Sequence, residues 1–144
     1  LRDSKATLWE GGIRVPAFVR WPGKIREGQV TQQLAITMDW TATILAASGS
    51  SAGDIGKLDG VDLMSVLRGG TPVNNRTFYW KRYMGNKQNA AREGKWKYMK
   101  DDKDEYLFDL EADPGEKNNL RGSMTTVFES LKSKFKKWEL EVGQ

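Results

Sequence analysis

The chain has 144 residues, with 23 Lys and Arg against 19 Asp and Glu for a net charge of +4. That mild excess, mixed in sign along the chain, tolerates an anionic partner but is no nucleic-acid stripe. There is no Cys and no His, which excludes disulfides, thiolate chemistry, an imidazole base and the common zinc ligands.

A chain of this length forms one compact unit burying roughly two-thirds of its unfolded surface. No apolar run approaches the roughly 20 residues of a membrane span, and no signal-peptide pattern opens the chain. Residues 1–12 read as a loop closing on Gly11-Gly12. Residues 13–21 alternate imperfectly through Ile13, Val15, Phe18, Val19 and Trp21, with Pro16 interrupting, and predict a short or interrupted strand. Pro22-Gly23 marks a turn, and 24–37 is a polar connection with an extended piece around Val30. Asp39 is placed to cap a helix over 40–48, with Trp40, Ile44 and Ala47 on one face and Gly49 at its end. Ser48 to Lys57 is Gly/Ser-rich and expected to be exposed. Asp62 precedes a short helix carrying Leu63, Val66 and Leu67, stopped by Gly69-Gly70.

From Arg76 the pattern changes. Thr77-Phe78-Tyr79-Trp80 predicts a strand, Ala90–Glu93 and Trp96–Lys100 a hairpin about Gly94-Lys95, and Glu105–Leu110 a further strand before Asp113-Pro114-Gly115. Ser123 is a plausible cap for the last helix. Met124, Val127, Phe128, Leu131, Phe135, Trp138 and Val142 then recur at steps of three or four, while Lys132, Lys134, Lys136 and Lys137 suit the negative end of its dipole.

Chemistry-bearing candidates are sparse. Lys5 offers a compact charge with three donors, suited to a tetrahedral anion, although a lone loop lysine is more often a surface charge. Arg14 can bind an anion or pair structurally with Glu10, and Arg2 can shape the same loop or stand solvated. Trp80, Lys81, Arg82 and Tyr83 join aromatic faces to cations. They can contact an anionic ligand, bind nucleic acid, or pack and solvate a sheet edge, and the polar loop Tyr83–Asn89 beside them is a specificity candidate. Lys100-Asp101-Asp102-Lys103-Asp104-Glu105 lacks the spacing and glycine of a calcium loop and reads as a hairpin turn. Asn75-Arg76-Thr77 fits a glycosylation pattern by composition alone.

The run Lys5-Ala6-Thr7-Leu8-Trp9-Glu10-Gly11-Gly12-Ile13-Arg14-Val15-Pro16 resembles the lysine segment of the sulfatase family, continued by Val19-Arg20-Trp21-Pro22-Gly23-Lys24-Ile25. Met38-Asp39-Trp40-Thr41-Ala42-Thr43-Ile44-Leu45 is similar to the family helix with Asp-x-x-Pro-Thr, Ala42 replacing the proline. Leu58-Asp59-Gly60-Val61-Asp62-Leu63 and Ala91-Arg92-Glu93-Gly94-Lys95-Trp96-Lys97-Tyr98 also match. So do Tyr106-Leu107-Phe108-Asp109-Leu110, Asp113-Pro114-Gly115-Glu116 and Asn118-Asn119-Leu120. Ala6 replaces a common glycine and Leu8 a common threonine, which bears on the fine geometry of the loop.

The resemblance implies an α/β, alkaline-phosphatase-like sulfatase fold, of which this chain is the C-terminal part. It divides the chain into 1–75, the end of the catalytic domain, and 76–144, a small antiparallel sheet packed by a helix. In the first part, the strand near 13–21 would extend a sheet made mostly by residues outside this chain. It also implies hydrolysis of sulfate esters, with carbohydrate sulfates favoured. Lys5 contacts the sulfate, Glu10, Arg14 and Pro16 are structural, and Trp80, Lys81 and Arg82 are substrate-binding candidates. Calcium and the formylglycine nucleophile belong to the upstream catalytic region, so this chain is expected to hold neither and to be inactive alone. None of Asp39, Asp59 or Asp62 is taken as a metal ligand. The implied setting is periplasmic or secreted, with no nucleic acid and no membrane span. The alternatives are a noncatalytic anion- or carbohydrate-binding accessory domain, or part of a related phosphoester or phosphonate hydrolase.

Overall fold

The computed structural model describes residues 1–50, 57–83, 85 and 87–143. The chain divides into two compact units, Leu1–Pro16 with Asn75–Gln144, and Ala17–Asn74. Residues 51–56 of the expected Ser48–Lys57 loop, and Met84 and Asn86 of the Tyr83–Asn89 loop, lie outside the described residues.

The first unit is built on four antiparallel strands in the order β1-β2-β3-β4, running Thr77–Arg82, Gln88–Glu93, Trp96–Asp101 and Asp104–Asp109. The tight turns about Gly94-Lys95 and Asp102-Lys103 set the register. Gly94 and Asp102 both take positive φ, at 55° and 52°, as such reversals require. Gln88 and Asn89, read as loop, extend β2 because they pair with Arg82 and Lys81 on one side and Asp101 and Lys100 on the other.

Strand alternation sorts the side chains onto two faces. Tyr79, Ala91, Tyr98 and Leu107 stand opposite one another across the sheet and form a core with Phe128, Leu131 and Phe135. The other face carries Ala90, Met99 and Phe108, which pack with Leu8 and Trp9 of the N-terminal segment. Trp96 and Tyr98 share one face, and Tyr106 and Phe108 share the opposite one.

The long helix Thr125–Val142 covers the first face as its periodicity predicts. It is α4, preceded along the chain by α1 (Glu10–Ile13), α2 (Thr37–Ser48) and α3 (Met64–Leu67). Rings fill the seam: Tyr98 meets Phe128 edge-on at 5.6 Å, and Tyr79 stacks on Trp138 at 5.1 Å. Two details differ from expectation. Met124, not Ser123, occupies the cap position, and the Ser123 hydroxyl donates to the Leu120 carbonyl instead. The last turn holds no basic residue. Two of the lysines reach the sheet, where Lys132 binds Glu105 at 2.8 Å and Lys134 binds Glu93 at 2.6 Å. Phe135 is only 2% exposed. Phe135→Ala is therefore expected to cost about 3–5 kcal/mol; an unfolding titration showing under about 1 kcal/mol would remove it from the core.

Tyr98 supplies a pH signature. Burial first, and then the hydrogen bond its hydroxyl donates to Glu105 at 3.0 Å, push its pKa well above the usual 10.0. The resulting stability is fully present below about 10 and drains away as pH rises through the folded pKa. In an ultraviolet titration of the folded chain, Tyr98 should ionise well above the usual tyrosine range, a step that Tyr98→Phe removes. Tyr98→Phe should flatten the alkaline fall in stability. Ionisation of Tyr98 near 10 would contradict the buried hydrogen bond.

In the second unit, α2 is one turn longer than expected. Ile36 is its cap residue, and Asp39 sits inside the first turn with its carboxylate accepting the Ile36 N–H at 2.9 Å. Gly49, at φ 80°, closes the helix as predicted. The buried side is Asp39, Ala42 and Thr43, while Ile44 is 65% exposed. Polar bonds choose that face: the Val61 N–H donates to Asp39 and the Leu63 N–H to Thr43, both at 3.0 Å. Helix α3 follows, with the Met64 N–H bonded to Asp62 and Leu63, Met64 and Val66 buried. The Trp21–Ile25 turn forms as expected, with Gly23 at φ 76°. The strand predicted over 13–21 is absent. Residues 10–13 form the helical turn α1 and 14–21 are irregular, with Phe18 90% exposed. Pro16 removes a ladder donor, and no strand among the described residues pairs with this stretch. The expected extended piece near Val30 is likewise irregular.

Candidate functional site

Residues 1–13 form a strap laid across the sheet face opposite α4. Leu8 and Trp9 bury into that face, and the Leu8 N–H donates to the buried Gln88 side chain at 2.9 Å. Trp9 meets Tyr106 and Phe108 edge-on, and the Arg2 guanidinium lies 3.6 Å over the Trp9 ring. Arg2 is thus a packed cation, not a solvated terminal residue.

The loop between Arg2 and Leu8 folds back on the Gly11-Gly12 turn. A Cβ at Gly11 would lie 2.1 Å from the Asp3 carbonyl oxygen, and one at Gly12 would lie 2.2 Å from that of Thr7. Both contacts are with backbone, so only glycine allows the loop to close there. The Gly11 N–H bonds the Arg2 carbonyl at 2.8 Å, and the Thr7 hydroxyl bonds that of Ser4 at 2.9 Å. Lys5 sits exposed in this loop. Its neighbour Ala6 has φ 71°, the left-handed region that glycine occupies at lower cost. The alanine that stands for a common family glycine therefore sits where glycine has a physical advantage.

Beneath the loop lies a buried ionic cluster. Glu10, Lys97 and Glu116 are each 0% exposed. The Lys97 ammonium donates to Glu10 at 3.0 Å and to Glu116 at 2.7 Å. The second Glu116 oxygen accepts the Glu10 N–H at 2.7 Å, and Arg92 approaches Glu10 at 3.4 Å. Burial pushes the Glu116 carboxyl above the usual range despite the pull of Lys97, and burial also lowers Arg92. Arg14, expected to pair with Glu10, is instead exposed, because Lys97 and Arg92 reach Glu10 from the sheet.

The structure separates the candidates on β1. Trp80 packs into the cluster of Leu8 and Trp9, on the strap side, and Arg82 shares that face by alternation. Lys81 points to the α4 side, where it pairs with Glu139 and raises its own pKa through that bond. Lys97 and Glu116 carried no functional signal in the sequence. A lysine alternating between Trp96 and Tyr98 reads as solvent-facing until the strap buries the second sheet face. The clue was present in Arg92 and Lys97, two cations facing each other across the hairpin on the same face as Ala90 and Met99. Such a face, once covered, demands carboxylates.

Among the described residues, no group of three or more Asp, Glu, His or Cys side chains gathers in a way that could hold a metal ion. Asp39 spends its two carboxylate oxygens on the N–H groups of Ile36 and Val61. These donor sets do not fit calcium. No helix among the described residues is long and apolar enough to cross a membrane.

The sequence matches the family described as N-sulphoglucosamine sulphohydrolase, C-terminal, over residues 3–141. It is 33% identical over 170 aligned positions to arylsulfatase A of Bos taurus, covering 100% of this chain and 33% of that protein. It is 39% identical over 93 positions to N-acetylgalactosamine-6-sulfatase of Sus scrofa, covering 65% of this chain and 17% of that protein. The crystal structure of Ps i-CgsB superposes with a TM-score of 0.73 over 82% of this chain and 27% of its own, at 23% identity, which supports the fold. The chain spans about a third of the length of arylsulfatase A. With its four-stranded antiparallel sheet, closing helix and lysine strap, the chain belongs to the sulfatase family, as a C-terminal part.

Proposed function

We propose that this chain is the C-terminal third of an enzyme that hydrolyses sulfate esters, and that Lys5 is its catalytic contribution. The observation that carries the reading is the strap: an exposed ammonium on a loop closed by two obligatory glycines and anchored by a buried carboxylate. Hydrolysis of a sulfate ester moves negative charge onto the leaving oxygen and the sulfuryl oxygens. A fixed ammonium lowers the barrier if it meets that charge better in the transition state than in the substrate. Lys5 has the reach and three donors for this, and a rigid base supports its loop.

Residues 1–75 then close the catalytic domain and 76–144 form the C-terminal subdomain, with the strap bridging the two roles. Formylglycine would supply the nucleophile and calcium the electrostatic hold on the sulfuryl oxygens, both set by residues outside this chain. The described residues fit neither, so the chain's own share is charge neutralisation and shape. Trp80, Lys81 and Arg82 are substrate-side candidates, with Trp80 and Arg82 on the strap face and Lys81 on the α4 face, paired with Glu139. A carbohydrate sulfate is favoured as substrate, because both the family description and the N-acetylgalactosamine-6-sulfatase relative name sulfated sugars. The setting that goes with this reading is periplasmic or secreted.

Sulfate release from 6-sulfated N-acetylgalactosamine, N-sulfated glucosamine and 4-nitrophenyl sulfate, by the full-length protein and by this chain alone, tests the reading. Turnover by the full-length protein with calcium and none by the chain is expected. Phosphate esters cleaved in preference to every sulfate ester would overturn it, as would turnover by the rigorously purified 144-residue chain.

A further inference from the structure

Lys97 lies on the inner strand β3 and bonds directly to Glu10, at the end of the loop that carries the candidate catalytic amine. Its ammonium joins Glu10 on the strap to Glu116 in the turn after β4. Glu116 binds the strap twice more: a carboxylate oxygen accepts the Glu10 N–H at 2.7 Å, and its carbonyl accepts Arg2 at 3.1 Å. Glu116 does this from φ 53°, a left-handed conformation unfavourable for a side chain of its kind. The turn around it is braced by Asp113, whose carboxylate accepts the Lys117 N–H at 2.7 Å and the Asn118 N–H at 2.8 Å. The backbone is thus held in a strained state that aims one carboxylate at Lys97 and the strap.

Nothing in ester hydrolysis uses these groups directly. Packing alone does not account for them either, since apolar residues of similar volume hold a core as well as a buried ion pair does. What the charges add is direction. Hydrogen bonds to Lys97 and Glu116 fix the height and register of Glu10, adding to the bond that the Leu8 N–H makes to Gln88, where apolar contact alone would let the strap slide. Both ends of the Lys5 loop, at Arg2 and at Glu10, end on Glu116.

We propose that Lys97 and Glu116 are positioning residues for Lys5, so that the C-terminal sheet sets where the catalytic ammonium stands. The proposal rests on the sulfatase reading for its kinetic consequence but not for its structural one. The experiment uses the full-length protein carrying Lys97→Met, the milder Glu116→Gln, Lys5→Ala and the paired changes, with two readouts. Amide hydrogen exchange should speed up at least tenfold at Glu10, Gly11 and Gly12 in Lys97→Met, and severalfold in Glu116→Gln, in excess of any change at Ala90 and Leu107 in the hairpin strands. On a sugar sulfate, kcat should fall about ten- to hundredfold in Lys97→Met with KM within about threefold. Once Lys5 is Ala, adding either positioning change should lower kcat by less than about twofold, because there is no amine left to misplace.

Exchange that is unchanged, or that rises equally in strap and hairpin, overturns the proposal, since the pair then only stabilises the fold. So does a strap loosened as expected with kcat losses that multiply through the Lys5→Ala background. If Lys97→Met does not fold, Glu116→Gln decides by the same criteria. A wild-type protein with no turnover on any sulfate ester sinks the sulfatase reading and the kinetic half of the proposal together; strap-restricted exchange would still uphold the anchoring half.

Discussion

Lys97→Met is expected to lower the unfolding free energy by about 3–5 kcal/mol, because it strands two carboxylates away from water. Met fills most of the lysine stem, so a cavity is not the cause. The cause is Glu10 and Glu116, both 0% exposed, which lose the ammonium lying between them. Arg92, at 3.4 Å from Glu10, offsets part of the loss but does not contact Glu116 directly. Burial already pushes Glu116 above the usual carboxyl range with Lys97 present. Without Lys97 that pKa rises further, so protonation relieves the variant more than the wild type. The deficit should therefore be largest near neutral pH and shrink as pH falls through the variant's raised carboxyl pKa. Urea titrations at several pH values check this. A loss under about 1 kcal/mol, or one independent of pH, would show that the cluster is well solvated.

The elements that were legible in the sequence are those whose pattern is set by one neighbour. Helix α4 shows its stripe because it covers a single sheet face, and Phe128, Leu131 and Phe135 are buried where the period puts them. The hairpins are legible because Gly94 and the 101–104 turn need particular backbone angles. The expectations that failed are those in which polar bonds or distant partners decide. Trp40, Ile44 and Ala47 form a plausible apolar face, yet α2 buries Asp39, Ala42 and Thr43, since Val61 and Leu63 need acceptors for their N–H groups. The stretch 13–21 has strand-like alternation but no partner among the described residues, and alternation without a ladder does not hold a strand.

The site was legible only in part, and unevenly. Lys5 drew notice through its neighbours rather than its own chemistry, and the structure explains those neighbours. Gly11 and Gly12 are glycines because backbone oxygens occupy the space of any Cβ, and Glu10 is an acid because a buried lysine and a half-buried arginine await it. The residues that hold it were silent because they are remote in sequence. Lys97 and Glu116 lie 87 and 106 positions beyond Glu10, and no local period links them. The trio Trp80, Lys81 and Arg82 looked like one patch, but consecutive strand residues face opposite sides.

The second large effect belongs to Lys5. In the full-length protein, Lys5→Ala is expected to lower kcat/KM by tenfold to thousandfold, or about 1.4–4 kcal/mol of transition-state stabilisation. Lys5 is exposed, so its loss should leave thermal stability almost unchanged, which separates chemistry from folding. The size of the effect should depend on the leaving group. A sugar alkoxide carries more charge at departure than 4-nitrophenolate and needs the ammonium more. The decisive measurement is kcat/KM for wild type and Lys5→Ala on a sugar sulfate and on 4-nitrophenyl sulfate, under identical calcium and pH. A loss on both substrates, greater for the sugar, is the predicted result. An unchanged rate on the sugar sulfate would show that this amine stands away from the reacting sulfur.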